Sequence, residues 1–201
     1  MKGREGVLHF LREFKRSVKL TGVDEIARRY FIMNLFDGSL AMLGVVLGSY
    51  AAGVEDALVV MKVALGVGVA MAVSGFSGAY MAERAERVRE LKEVERALFF
   101  NLEDTAFARA SSYAAFLAAL VNGASPLVAI ALASIPFALS MLSLLSFSHA
   151  VASSAALIIS TLFVLGAYMG RVSGEGLLTS GVKALIIGGL TATLLLLIQA
   201  L

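Results

Sequence analysis

The stretch "RRYFIMNLFDGSLAMLGVVLGSYAAG", Arg28 to Gly53, decides the fold class. After its two arginines it carries no charge except Asp37. A helix of roughly 20 residues crosses a hydrocarbon core about 30 Å thick, and this run is long enough to do so. What surrounds the run therefore determines what a carboxylate inside it costs.

The rest of the chain points to lipid. Of its 201 residues 59% are hydrophobic and only 16% are charged, with a mean hydropathy of +0.85. A soluble domain carries about a quarter charged residues. The charges fall in blocks, and the uncharged stretches between them predict five membrane spans. These lie at about 31–53, 57–81, 111–134, 148–170 and 182–201. Ser111 to Gly170 contains no Lys, Arg, Asp or Glu and is too long for one span. It divides into a helical hairpin that turns between Ile135 and His149, with Pro136 and the run "SMLSLLSFSH" leaving the turn itself open. The fold expected is an all-α membrane protein, a multi-pass five-span domain over 23–201.

Five crossings put the termini on opposite sides, and the cations choose the side. Residues 1–29 hold Lys2, Arg4, Arg12, Lys15, Arg16, Lys19, Arg28 and Arg29. Residues 82–110 hold Arg84, Arg87, Arg89, Lys92, Arg96 and Arg109, and the connection after the fourth span adds Arg171 and Lys183. Lys62 alone falls on the other side. The N-terminus is expected to be cytoplasmic and the C-terminus outside.

Within residues 1–22, Val7, Leu11, Phe14 and Val18 recur at helical spacing, with basic residues on the other faces. That pattern predicts an amphipathic helix lying on the membrane surface, ended by Thr21-Gly22. No apolar core or cleavage site of a signal peptide precedes the first span. Nucleic acid is not the expected partner of this basic arm. The segment 82–110 is expected to form a short cytoplasmic amphipathic helix between spans 2 and 3. Small residues set the close contacts inside lipid: Gly44 and Gly48 in the first span and Gly166 and Gly170 in the fourth both read GxxxG.

Asp37 stands about nine residues past the arginine pair, roughly 13 Å along a helix axis. An acid near the bilayer centre costs about 2.5–3.5 kcal/mol on insertion scales and less at this shallower depth, yet the cost remains unless a proton, a cation or a donor group compensates it. The structural alternative is a cap on a broken helix, or a bond to a hydroxyl such as Ser39 or Ser74.

These residues resemble the vacuolar iron transporter family. "NLFDGSLAMLGVVLGSYAAG" is similar to the Asp-Gly signature of its first helix, and "AVSGFSGAYMAERAE" to the motif of its second. "FVLGAYMGRVSGEGLLTSGVKALIIGGLTATLLLLI" resembles its last two helices. The resemblance covers most of residues 25–201 and identifies a short-loop, prokaryotic-type member. It implies a homodimer that exports Fe2+, and sometimes Mn2+, from the cytoplasm in exchange for protons. The path runs between the subunits and uses the first-helix acid, here Asp37. A carboxylate suits either metal without choosing between them. The transported ion is then the only metal expected, with no organic cofactor.

Two departures bear on this. The second-helix methionine of the family falls here on Gly75, and Met71, one turn earlier, is the candidate thioether in its place. The family's longer three-helix insertion is replaced by the short segment 82–110. Glu83, Glu86, Glu90 and Glu93 form a stripe of two ExxE pairs there. They read either as metal-collecting acids or as a solvated helix with ion pairs Glu83–Arg87 and Arg89–Glu93. Glu103 and Asp104 carry the same ambiguity. No cysteine is present, the two histidines His9 and His149 fall on opposite sides, and no GxxxxGK[ST] occurs. Enzyme activity is not expected. A membrane scaffold or regulator without transport, or a carrier of another divalent cation, are the other readings.

Overall fold

A computed structural model describes residues 22–102 and 105–199. The described residues form helices and turns only, with no strand. Five helices follow in order: α1, Val23–Ala51; α2, Ala57–Leu98; α3, Ala106–Met141; α4, Phe147–Ser173; and α5, Leu177–Gln199. Each is long and apolar enough to cross a membrane. The surface agrees, since Val69, Val73, Ile186 and Leu190 among many large apolar side chains are exposed. A water-soluble monomer rarely shows so much contiguous apolar surface.

Local chemistry sets the helix ends. Gly22 is left-handed (φ +59) immediately before α1, where the sequence predicts a break. Gly53 (φ +73) reverses the chain after α1, and Asp56 caps α2 by accepting from the Leu58 N–H at 2.8 Å. Thr105 accepts from the Ala108 N–H at 3.3 Å at the start of α3. Ser146 caps α4 and also lies 2.6 Å from His149 Nδ1, so that the histidine belongs to the cap. Gly174 (φ +76) ends α4.

The helices run beyond the expected spans, and α1 already begins at Val23 rather than near 31. Residues 82–98 are not a separate helix between spans 2 and 3 but the last part of α2. Their Ala, Glu, Arg and Leu are strong helix formers, and no breaker follows Met81. At 1.5 Å per residue α2 is about 63 Å long, roughly twice the hydrocarbon thickness. The helix of the third span does not stop at 134: α3 continues through Pro136 to Met141, because Pro136 and Phe137 are both packed inside. The turn to α4 then falls at 142–146, within the expected window, with Ser143 left-handed (φ +59). The fifth helix begins at Leu177, not 182. Of the N-terminal segment 1–22 only Gly22 lies among the described residues, and Glu103 and Asp104 lie outside them.

The chain divides into two compact units, one of residues up to 31 with 73–124, the other of 32–72 with residues from 125 onward. In the first, Val23 of α1 packs on Ala114 and Ala118 of α3, flanked by Tyr30. Phe76 of α2 stacks on Tyr80 at 6.1 Å and meets Phe116 of α3 edge-on at 5.8 Å. In the second, Met42, Val46, Val60, Phe137, Ile158 and Leu162 form the core, each essentially inaccessible. Ser154 of α4 donates to the Ala133 carbonyl of α3 at 2.7 Å. The GxxxG of α4 works as expected: a Cβ on Gly166 would stand 2.5 Å from the Ala184 Cβ of α5, and one on Gly170 2.6 Å from the Ser180 Cβ. In α1 the same motif is looser, with Gly44 at an ordinary 3.8 Å from Leu195.

Candidate functional site around Asp37

Asp37 sits at the midpoint of α1, equidistant from Val23 and Ala51. The helix is unbroken there, so Asp37 does not cap a helix end. Its orientation follows from its neighbours. Leu35, Gly38, Ser39, Met42 and Val46 are all buried. At about 100° per residue these positions share one side of the helix, and Asp37 falls opposite them.

Gly38 explains why that inward side is so close. A Cβ there would lie 2.8 Å from the Pro126 Cα of α3, a backbone atom that cannot swing away. The Asp-Gly pair is therefore a junction, in which glycine lets α1 press on α3 and aspartate faces outward. Ser39 spends its hydroxyl on the Leu35 carbonyl at 2.8 Å, and so does not serve Asp37. The Asp37 carboxylate is exposed on the single chain, and no hydrogen bond or ion pair joins it to the described residues.

Met33 lies one turn before Asp37 on the same outward side and is 51% exposed. The i, i+4 relation puts a thioether and a carboxylate on one face. Sequence reading passed over Met33 and chose Met71. Its signal was available in the spacing, but the outward direction of that face was not. Met71 is half-buried on α2, in the same compact unit as Asp37.

Position 75, where the resemblance would place a methionine, is a close approach of two helices. The Gly75 carbonyl accepts from Asn122 Nδ2 of α3 at 2.7 Å. A Cβ on Gly75 would meet that amide nitrogen at 3.2 Å and the Asn122 carbonyl at 3.3 Å. The glycine thus sits where α2 and α3 approach, and a Cβ there would require Asn122 to give by a few tenths of an ångström.

The glutamates of α2 are each engaged. Glu83 accepts from the Tyr30 hydroxyl of α1 at 2.8 Å in a half-buried contact. Glu86 pairs with Arg89, Glu90 with Arg87 at 3.5 Å, and Glu93 with Arg89 at 3.9 Å. The expected Arg89–Glu93 pair is present, while Glu83 goes to Tyr30. Among the described residues, no three His, Asp or Glu side chains gather into a group that could hold a metal ion. Any full metal site built on Asp37 needs ligands from elsewhere.

At the opposite end of the last hairpin element, Glu175 accepts from Lys183 Nζ at 2.8 Å and from the Ser180 hydroxyl at 3.1 Å. These bonds, Lys183 foremost, hold its carboxyl below the usual range. They clamp the α4–α5 turn.

No family model matches the chain, and no solved structure matches it. The chain is similar to the protein of Methanocaldococcus jannaschii named uncharacterized protein MJ0645, at 32% identity over 174 residues, 85% of this chain and 87% of that protein. With that much of both sequences aligned, the chain belongs to the family of this archaeal protein.

Proposed function

We propose that this protein is a membrane carrier that moves a divalent metal, Fe2+ or Mn2+, out of the cytoplasm in exchange for protons. One observation carries the reading: an unpartnered carboxylate stands outward at the centre of a helix fit to span a membrane. Left against acyl chains, Asp37 costs about 2.5–3.5 kcal/mol. A second copy of the chain laid over this face removes it from lipid and sets two Asp37 and two Met33 side chains near a twofold axis. That supplies two carboxylates suited to Fe2+ or Mn2+, with two softer thioethers beside them. A carboxylate that holds either a proton or a metal couples the two flows by mutual exclusion. The resemblance to vacuolar iron transporters supports the same homodimer and ion. The cation distribution supports a cytoplasmic N-terminus, with the C-terminus on the other side of the membrane.

Flux in proteoliposomes tests this. A pH gradient drives Fe2+ or Mn2+ movement in the wild-type protein, and Asp37→Asn abolishes it. Unchanged flux in that variant removes Asp37 from the mechanism. A competition series with Zn2+ and Ca2+ separates an iron carrier from a carrier of another cation.

A second reading has its own support. Gly75 stands where the family places methionine, and the α2 glutamates are occupied by arginines and Tyr30. A membrane scaffold without transport accommodates both. It predicts no metal flux at any pH gradient and no metal bound per protomer.

A further inference from the structure

We propose that a groove between α2 and α3, lined by Arg84, Arg87, Ser111 and Ser112, holds the phosphate of an anionic phospholipid. The groove lies within the first compact unit and has a volume of about 110 Å³. That is room for one phosphate group and little more. Arg84 and Arg87 supply the charge and Ser111 a hydroxyl. Arg87 also pairs with Glu90 at 3.5 Å, and Ser112 donates its own hydroxyl to the Ala108 carbonyl at 3.2 Å. Ser112 therefore serves as wall with Leu91 and Ala108, and among the described residues no carboxylate lines the groove. Guanidinium groups match phosphate oxygens in geometry and charge. A neighbouring cavity shares Ala108 and Ser112 and adds Arg109, so a third cation stands beside the same hydroxyl.

Depth selects a lipid as the source of the phosphate. The apolar run of α2 ends at Met81, and Arg84 follows within one turn. The groove therefore opens at the level of the headgroups. Below it runs an apolar track. On α3, Ser112, Phe116 and Leu120 succeed one another at i, i+4 and i+8, all exposed. On α2, Tyr80 and Phe76 lie one and two turns below Arg84, and Phe76 touches Phe116. Arg84 itself rests its guanidinium over the Tyr80 ring at 5.9 Å, so that its charge meets the uppermost ring of the track. A headgroup in the groove thus leaves its acyl chain on the Phe116–Leu120 face. The inference rests on the membrane placement of the helices and not on metal carriage.

The test uses the full chain, purified in detergent, with bound lipid counted by native mass spectrometry. Phosphatidylglycerol is titrated against phosphatidylcholine. The wild type retains phosphatidylglycerol in preference, and Arg84→Gln loses about fivefold in its retention, the effect of one cation near an anionic surface. Lys92→Gln, on the same helix outside the groove, retains the wild-type amount. Ser112→Leu fills the groove from an exposed position without removing charge, and gives a similar loss even if an arginine variant misfolds. Millimolar inorganic phosphate leaves the bound lipid in place. Equal retention of both lipids, or equal losses in Arg84→Gln and Lys92→Gln, overturns the proposal in favour of diffuse charge. Displacement of the lipid by inorganic phosphate overturns it in favour of a free-anion site.

Discussion

The side-chain amide of Asn122 on α3 donates to the backbone carbonyl of Gly75 on α2 at 2.7 Å, at a contact that would be tight for a Cβ. One residue thus fills the space and supplies the hydrogen bond that a bulkier partner would need to displace. Gly75→Met, the residue the resemblance would place there, is expected to destabilise the protein by about 1–3 kcal/mol through overpacking, and to add no metal affinity. Asn122→Ala removes the interhelical bond, for which about 0.6 kcal/mol is typical in membrane proteins and about 1.7 the upper range. Thermal melts in detergent, beside metal-binding isotherms, check both.

Asp37 and Gly38 are neighbours with opposite duties, and single substitutions separate them. Gly38→Ala forces a Cβ to within 2.8 Å of the Pro126 Cα. It is expected to cost about 1–3 kcal/mol, seen as a lowered melting temperature. Asp37→Asn touches no internal partner and is expected to leave the melt unchanged or raise it slightly, while flux disappears. A melt lowered as much by Asp37→Asn as by Gly38→Ala contradicts an outward, unpartnered carboxylate.

The α4–α5 turn carries a pH dependence of defined sign. Glu175 is held below its ordinary value of 4.5, first by Lys183 and then by Ser180. Its unfolded form binds a proton at higher pH than its folded form does. Its contribution to stability is therefore full above the ordinary carboxylate range and fades as pH falls through the lower folded value. Melts of wild type and Glu175→Gln should differ at pH 7 and converge at the acid end. The group is fully exposed, so the gap is small and shrinks further in salt.

Phe99 ends α2 in the left-handed region (φ +50) with its ring almost wholly in solvent, 97% exposed. A non-glycine residue pays roughly 1–2 kcal/mol for that conformation. Phe99→Gly gives up little packing and is expected to stabilise the protein by about 1 kcal/mol. Phe99→Ala, which keeps the Cβ, should gain nothing. Chemical denaturation in mild detergent distinguishes them.

Much of this architecture follows from local chemistry. Five apolar stretches without compensating charge leave the backbone one solution in lipid, the helix, which satisfies every N–H and C=O internally. Gly22, Gly53, Asp56 and Ser146 end or begin helices by their own conformational and hydrogen-bonding habits, so the breaks near them were legible. The one systematic error came from treating the end of an apolar run as the end of a helix. Hydropathy reports the edge of the lipid, whereas helix propensity carries α2 on through Glu83 to Leu98.

Side-chain pairing across helices was not legible, because it depends on which turn of one helix faces which turn of another. Nothing near position 75 in the chain announces Asn122, and nothing beside Glu83 announces Tyr30, 53 residues away. Pro136 leaves the turn open in the sequence, and the burial of Phe137 gives the helix reason to continue past it. Sequence by itself determined that Asp37 lies in a membrane-crossing helix and must be compensated, since composition sets the solvent. Only the tertiary structure decided that the carboxylate turns outward, because the direction of a side chain is settled by which neighbour, here Pro126 against Gly38, claims the inner face.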